Sequence, residues 1–173
     1  MIYLGEAMKK VIIGLFLIVV TCVMINEKEA ILIPDEAIRL RIIANSNEFN
    51  DQALKLEVKT EVEKELYNLV SDATNIDDAR IIIKNNLEKV DNILKKYDVQ
   101  YSINYGNNYF PEKNFKGIEY AAGDYESLVI TIGSGLGENW WCVLFPPLCL
   151  LDEANYSDVE YEFMIHKIIN KFK

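Results

Sequence analysis

An α+β two-layer sandwich is the fold this sequence predicts: a mostly antiparallel sheet with a helical hairpin on one face and a C-terminal helix, behind an N-terminal signal or anchor helix. Three observations predict it. Runs at 37–44 and 99–105 alternate apolar with polar residues, and runs at 125–132 and 140–145 are rich in β-branched and aromatic residues; both are strand patterns. Between the first two runs lie two stretches with apolar residues every three or four positions, the period of amphipathic helices. The order strand, helix, helix, strands, helix departs from the regular β–α alternation of parallel sheets.

Lys9 and Lys10 precede an apolar run from Val11 to Ile25, broken only by Gly14, Thr21 and Cys22 and followed by Asn26-Glu27-Lys28-Glu29. A basic entry, a run of this length and a polar exit form the pattern of a secretory signal. The run is short of the roughly 20 apolar residues of a spanning helix. A start at Met8 keeps everything such a signal requires. Ala30 is a poor cleavage site, because Lys28 stands where a small residue is expected. Cys22 is a weak lipoprotein-type match, Thr21 being bulky for its place. A buried core helix is the competing reading of the run. Residues 1–30 are expected as a signal peptide or N-terminal membrane anchor, and residues 31–173 as an exported domain, since basic flanks stay cytoplasmic.

Within that domain, Ala37–Ala44 places Arg39 and Arg41 on one strand face and Ile38, Leu40 and Ile42 on the other, and stops at the turn cluster Asn45-Ser46-Asn47. Asp51–Val70 is a helix with Leu54, Val58, Val62, Leu66 and Val70 on one stripe, capped by Asn50 or Asp51. Thr74-x-x-Asp77 opens a second helix whose stripe runs through Ala79, Ile83, Leu87, Val90, Leu94 and Tyr97. Val99–Tyr105 is a strand ended by the turn signal Gly106-Asn107-Asn108, with an extended run around 109–115 interrupted by Pro111. Tyr125–Ile132 and Trp140–Phe145 are strands joined by a flexible hairpin loop, Gly133-Ser134-Gly135-Leu136-Gly137. Asp158–Phe172 is the closing helix.

The formal net charge of -9 argues against nucleic-acid partners, which need a basic face. The sequence carries few residues in catalytic patterns. His166 is the only histidine and reads as an exposed helix residue. Gly133-x-Gly135-x-Gly137 resembles a phosphate cradle, but a strand follows where such a cradle needs a helix N-terminus. Cys142-x6-Cys149 without a neighbouring His is not a zinc pattern. The two cysteines flank Pro146-Pro147, and two readings stay open: a closed disulfide corner in an oxidising space, or two small buried hydrophobes. No catalytic residue, metal or cofactor is expected. A hydrolase using Cys142, or an Asp124/Glu126 carboxylate pair on one strand face, is the alternative.

The densest feature is Gly137-Glu138-Asn139-Trp140-Trp141-Cys142-Val143-Leu144-Phe145-Pro146-Pro147-Leu148-Cys149, which holds both tryptophans. Aromatic anchors lead the energetics of binding surfaces. The expected partner-binding residues are Asn139, Trp140, Trp141, Phe145, Pro146 and Pro147, with Arg39, Arg41 and Asn45. Alternation sends Trp140 and Trp141 to opposite faces, so core filling competes with contact.

Two blocks carry a family resemblance. Arg39-Leu40-Arg41-Ile42-Ile43-Ala44-Asn45-Ser46 followed by Asp51-Gln52-Ala53-Leu54-Lys55-Leu56-x-Val58 is one. Ala122-Gly123-x-Tyr125-Glu126-x-Leu128 followed by Ile132-Gly133-x-Gly135-x-Gly137-x-Asn139-Trp140-Trp141-Cys142-Val143-Leu144-Phe145-Pro146-Pro147-Leu148-Cys149 is the other. Together they resemble stage II sporulation protein R of endospore-forming bacteria. The family usually carries Pro where Ala121 stands, a difference of loop shape. The resemblance implies a non-enzymatic signal, made in the forespore and exported between the two sporulation membranes. Its implied partner is a membrane-embedded aspartic protease of the mother-cell membrane, which then cleaves the pro-sequence of sigma-E. Membrane contact is expected through the N-terminal segment only, with residues 11–25 as a tether.

Overall fold

The computed structural model describes residues 5, 8–16, 31–32, 36–115, 118–149, 165 and 167–172. The chain divides into two compact units, Met1–Ala30 and Ile31–Lys173. In the first, residues 8–16 form helix α1, with Met8, Val11, Ile12, Ile13, Leu15 and Phe16 exposed. No described helix is long and apolar enough to cross a membrane. Cys22, Ala30 and the rest of the expected signal beyond Phe16 lie outside the described residues, as does His166.

The second unit is α+β. Strand β1 (Ile31–Leu32) is followed by β2 (Ile38–Ile43), helices α2 (Phe49–Val70), α3 (Ile76–Asn85) and α4 (Leu87–Leu94), and strands β3 (Tyr101–Phe110), β4 (Lys113–Phe115), β5 (Ile118–Tyr120), β6 (Gly123–Ile132) and β7 (Asn139–Phe145). Residues 165 and 167–171 are the described part of a C-terminal helix, α5. The main sheet has the order β3-β6-β2-β7. It is mixed: β2 runs parallel to β6 and antiparallel to β7, and β3 is antiparallel to β6. A second small sheet has the order β1-β5-β4.

The alternation in β2 explains how the sheet is covered. Ile38, Leu40 and Ile42 point to the helical side and are fully buried with Val58, Val62, Leu66, Ile83, Val90 and Leu94. Each such side chain contributes about 1.5–3 kcal/mol of burial. The other face is covered too, so the two-layer expectation gives way to a partial third layer. Val143, Tyr120, Leu148, Ile165 and Ile169 form a separate apolar cluster there, with Trp141 against it.

Three local expectations are corrected. The run 77–97 is two helices, divided at Asn86, whose Nδ2 donates to the Ile82 carbonyl at 2.8 Å. An Asn side chain of this kind competes with the helix for backbone partners. Gly106-Asn107-Asn108 is no turn: β3 continues through it, all ten residues paired with β6, and Asn108 Nδ2 donates to Ser127 Oγ at 3.0 Å. A paired neighbour satisfies the backbone there, and tertiary pairing overrides the local turn preference. At the start of α2 neither Asn50 nor Asp51 caps; Glu48 is the N-cap, and Asp51 turns to the preceding loop.

Candidate functional site

Strand β7 lies at one edge of the main sheet, paired only with β2 among the described strands. Its register sets Trp140 beside Ile42 and Trp141 beside Arg41. Trp140 therefore takes the helical face. It is half-buried there, with Lys59 Nζ of α2 lying 4.9 Å from its ring centroid. Trp141 takes the opposite face, half-buried between Phe110 at 5.1 Å, Tyr120 at 5.9 Å and Lys113 Nζ at 5.0 Å. Each tryptophan thus gives part of its ring to the fold and leaves part outward.

Beneath Trp141 the two arginines of β2 have different fates. Arg39 is 1 % exposed, its guanidinium 3.3 Å from the Tyr125 ring centroid and 5.4 Å from that of Phe110. Planar guanidinium and ring face attract each other strongly once desolvated. Arg39 packs among the aromatic rings from inside, where the unbound chain leaves it no outward surface. Arg41 is half-buried, donates to the Tyr109 carbonyl at 3.3 Å and lies 5.6 Å from the Phe110 ring centroid. Burial pulls its pKa below the ordinary arginine value. Arg41 and Trp141 are neighbours on one outward patch.

The strand ends in a closed corner. Cys142 and Cys149 are joined by a disulfide, with Cα atoms 5.2 Å apart. Leu148 N donates to the Val143 carbonyl at 3.1 Å, folding the Pro146–Pro147 turn back against β7. Phe145 is 2 % exposed and meets Phe172 at 4.9 Å, and Pro146 is buried, so both belong to the core side of the corner rather than to its surface. Pro147 is half-buried and Asn139 exposed.

The start of β7 is fixed by contacts that sequence reasoning missed. The segment 133–138 is not a hairpin: it leaves β6, passes over the end of β2 and enters β7 on the far side. All six of its amides donate inward. Gly133 N reaches Gln100 O (2.7 Å), Ser134 N reaches Asn45 Oδ1 (2.9 Å), and Gly135 N reaches Ile132 O (3.2 Å). Leu136 N reaches Asn45 O (3.1 Å), Gly137 N reaches Ala44 O (2.9 Å), and Glu138 N reaches Asn47 Oδ1 (2.7 Å). Asn45 also donates through Nδ2 to Asp51 at 2.8 Å. The glycines follow from this embrace: a Cβ on Gly137 would stand 2.3 Å from the Ser46 carbonyl oxygen, and Gly133 adopts φ +57° with Asn45 Oδ1 2.3 Å from any Cβ. No amide remains for a phosphate, and the loop is pinned rather than flexible. The signal in the sequence was the odd spacing of three glycines; its partner, Asn45, gave none.

Two of the three groups of the hydrolase alternative are held in other contacts. Cys142 is a disulfide sulfur. Glu126 accepts from Tyr105 at 2.6 Å and from Arg80 at 2.8 Å, which ties β6 to α3. Burial and that carboxylate push the Tyr105 hydroxyl well above its ordinary value. Asp124 is exposed at the start of β6.

The sequence model of the family described as stage II sporulation protein R matches residues 34–155. The curated protein named stage II sporulation protein R from Bacillus subtilis (strain 168) is 43% identical over 141 residues. The match covers 78% of this chain and 63% of that protein, so the chain spans less than two thirds of that relative's length. No solved structure matches. The family match takes in the Asn45 loop, the glycine loop, both tryptophans and the disulfide corner, and on it the chain belongs to the stage II sporulation protein R family.

Proposed function

We propose that this chain is an exported sporulation signal that binds the outer face of a membrane-embedded aspartic protease and so activates processing of pro-sigma-E in the mother cell. The observation that carries the proposal is β7: an edge strand with a half-exposed tryptophan on each face, held at one end by the glycine loop and at the other by the disulfide. A rigid aromatic edge binds without paying much ordering entropy. Trp141 with Arg41 has the composition of an interface hot spot, and Asn139 stands exposed beside them. The disulfide suits an oxidising, extracytoplasmic space. The exposed apolar residues of α1 suit delivery to or retention at a membrane. Activation requires only that the chain bind the active state of the protease more tightly than the inactive one.

The test is pro-sigma-E processing in a non-sporulating host carrying the cognate protease and its substrate, with and without the exported chain. Processing that depends on the chain is the expected result. With a protease shown to be competent, equal processing in its absence would sink the proposal. In the same assay Trp141→Ala and Arg41→Ala are expected to raise the dose for half-maximal processing at least about tenfold.

A further inference from the structure

Six consecutive inward amides leave the 133–138 loop no loose backbone, yet its central side chain points out: Leu136 is 81 % exposed. Glycines on both sides keep that leucine free of neighbours from its own loop. Phe49, the first residue of α2, is 84 % exposed. Both emerge from the same interlock, since Leu136 N bonds Asn45 O (3.1 Å) and Glu48 N bonds Ser46 Oγ (3.1 Å). Around them stand exposed Asn47, Glu48, Asn50, Glu138 and Asn139, while the nearest cation of the interlock, Lys55, is buried, its Nζ on Gln52 and the Glu138 carbonyl. Two large apolar side chains on a pinned scaffold, with acids as the only exposed charges among these residues, have a specific complement.

We infer that the Leu136–Phe49 end of the molecule is a second docking surface, which inserts its two apolar side chains into a hydrophobic pocket rimmed by lysine or arginine on a protein partner. The inference rests on the activator reading, in which that partner is the protease, and the surface continues from Asn139 at the start of β7. An acidic rim is repelled by anionic lipid and by a second copy of itself, which leaves a basic-rimmed protein as the occupant. Because the loop is already ordered, the binding energy of the leucine is not spent on ordering the backbone.

The experiment titrates the full chain into membranes containing the cognate protease and pro-sigma-E, and reads the half-maximal dose for wild type, Leu136→Ser, Phe49→Ser and the double Glu48→Gln, Glu138→Gln. Both apolar substitutions are expected to raise that dose at least about tenfold with the plateau of processing unchanged. Their melting temperatures should stay within about 2 °C of wild type, because the side chains are exposed. The charge variant should flatten the salt dependence of the dose. Wild-type activation with an unchanged dose for Leu136→Ser overturns the inference and leaves the activator reading standing. No activation by wild type overturns the activator reading itself, and the inference with it. Leu136-dependent partition onto phosphatidylcholine or phosphatidylglycerol vesicles would make lipid the occupant instead. Leu136-dependent self-association in sedimentation velocity would make it a second copy.

Discussion

Asn45 is the residue on which the site's geometry turns. Its Oδ1 accepts from Ser134 N at 2.9 Å and from Ser134 Oγ at 3.0 Å, and its Nδ2 donates to Asp51 at 2.8 Å. Asn45→Ala removes all three bonds while keeping the backbone ones, at an expected cost of about 1–3 kcal/mol in chemical denaturation. Gly133→Ala should cost at least about 2 kcal/mol, because it adds left-handed strain at φ +57° to a collision with that same amide. If Gly133→Ala were as stable as wild type, the interlock would not be as described. The sequence marked Asn45-Ser46-Asn47 as a turn, which stands, and the glycines as a flexible hairpin loop, of which only the loop stands. What it did not carry was their mutual grip, which joins residues 89 apart; neither half announces its partner through composition or period. Leu136 and Phe49 were illegible for a related reason. Apolar residues at a loop and a helix start read as core until the fold shows them bare.

At the scale of elements, β2 was legible because its apolar residues alternate and so place Ile38, Leu40 and Ile42 together on the helical face; the burial of Arg39 on the other face was not. Strands were misread where a neighbour decides, as at Gly106–Asn108, and β7 was found without its place at the sheet edge, since pairing order is not written in a strand's own residues. That place gives the disulfide corner its role. Cys142 lies within the strand and Cys149 seven residues on, so the bond staples the Pro turn to the edge that carries the tryptophans. A closed loop of this size restricts the unfolded chain by about 2.5 kcal/mol. Cys142→Ser, Cys149→Ser and the double variant should therefore lose about the same stability, measured by denaturant midpoint under non-reducing conditions. A Cys142→Ser variant much less active than Cys149→Ser at equal stability would instead point to chemistry at Cys142. Trp140→Ala and Trp141→Ala should separate in the same way. The first loosens packing over α2 beside Lys59; the second opens the Phe110–Tyr120 shelf and removes the outward patch with Arg41.

Across the whole molecule, carboxylates and tyrosines bound between elements set a window of pH. Asp51 lies below its ordinary value through bonds from Ser46 and Asn45, Glu61 through bonds from Lys96 and Tyr97, and Asp91 through bonds from Lys95 and Tyr101. A folded pKa below the unfolded one means that the unfolded chain takes up the proton first. The stability these groups give is fully present above about pH 4.3 and is lost as pH falls through their lowered folded values. The tyrosines act in the opposite direction. Burial, followed by the bond to Glu61, pushes the Tyr97 hydroxyl up to about 12, and Tyr101 is raised by its bond to Asp91 at 2.8 Å. Their neutral forms belong to the fold, so their contribution is full below about pH 10 and fades as pH rises towards 12. These bonds join α2 to the segment after α4, and α4 to β3, so both limbs loosen the contacts on either side of that segment. The chain should therefore show a broad plateau of thermal stability between about pH 5 and 9, with an acid limb below about 4 and an alkaline limb above about 10. Absorbance at 295 nm should show a tyrosine fraction that ionises only towards 12 or on unfolding. Tyr97→Phe should remove the delayed ionisation of that side chain and shorten the alkaline limb. A wild-type titration in which all ten tyrosines ionise together near pH 10, with helix content intact, would contradict the bonds from Tyr97 to α2 and from Tyr101 to α4.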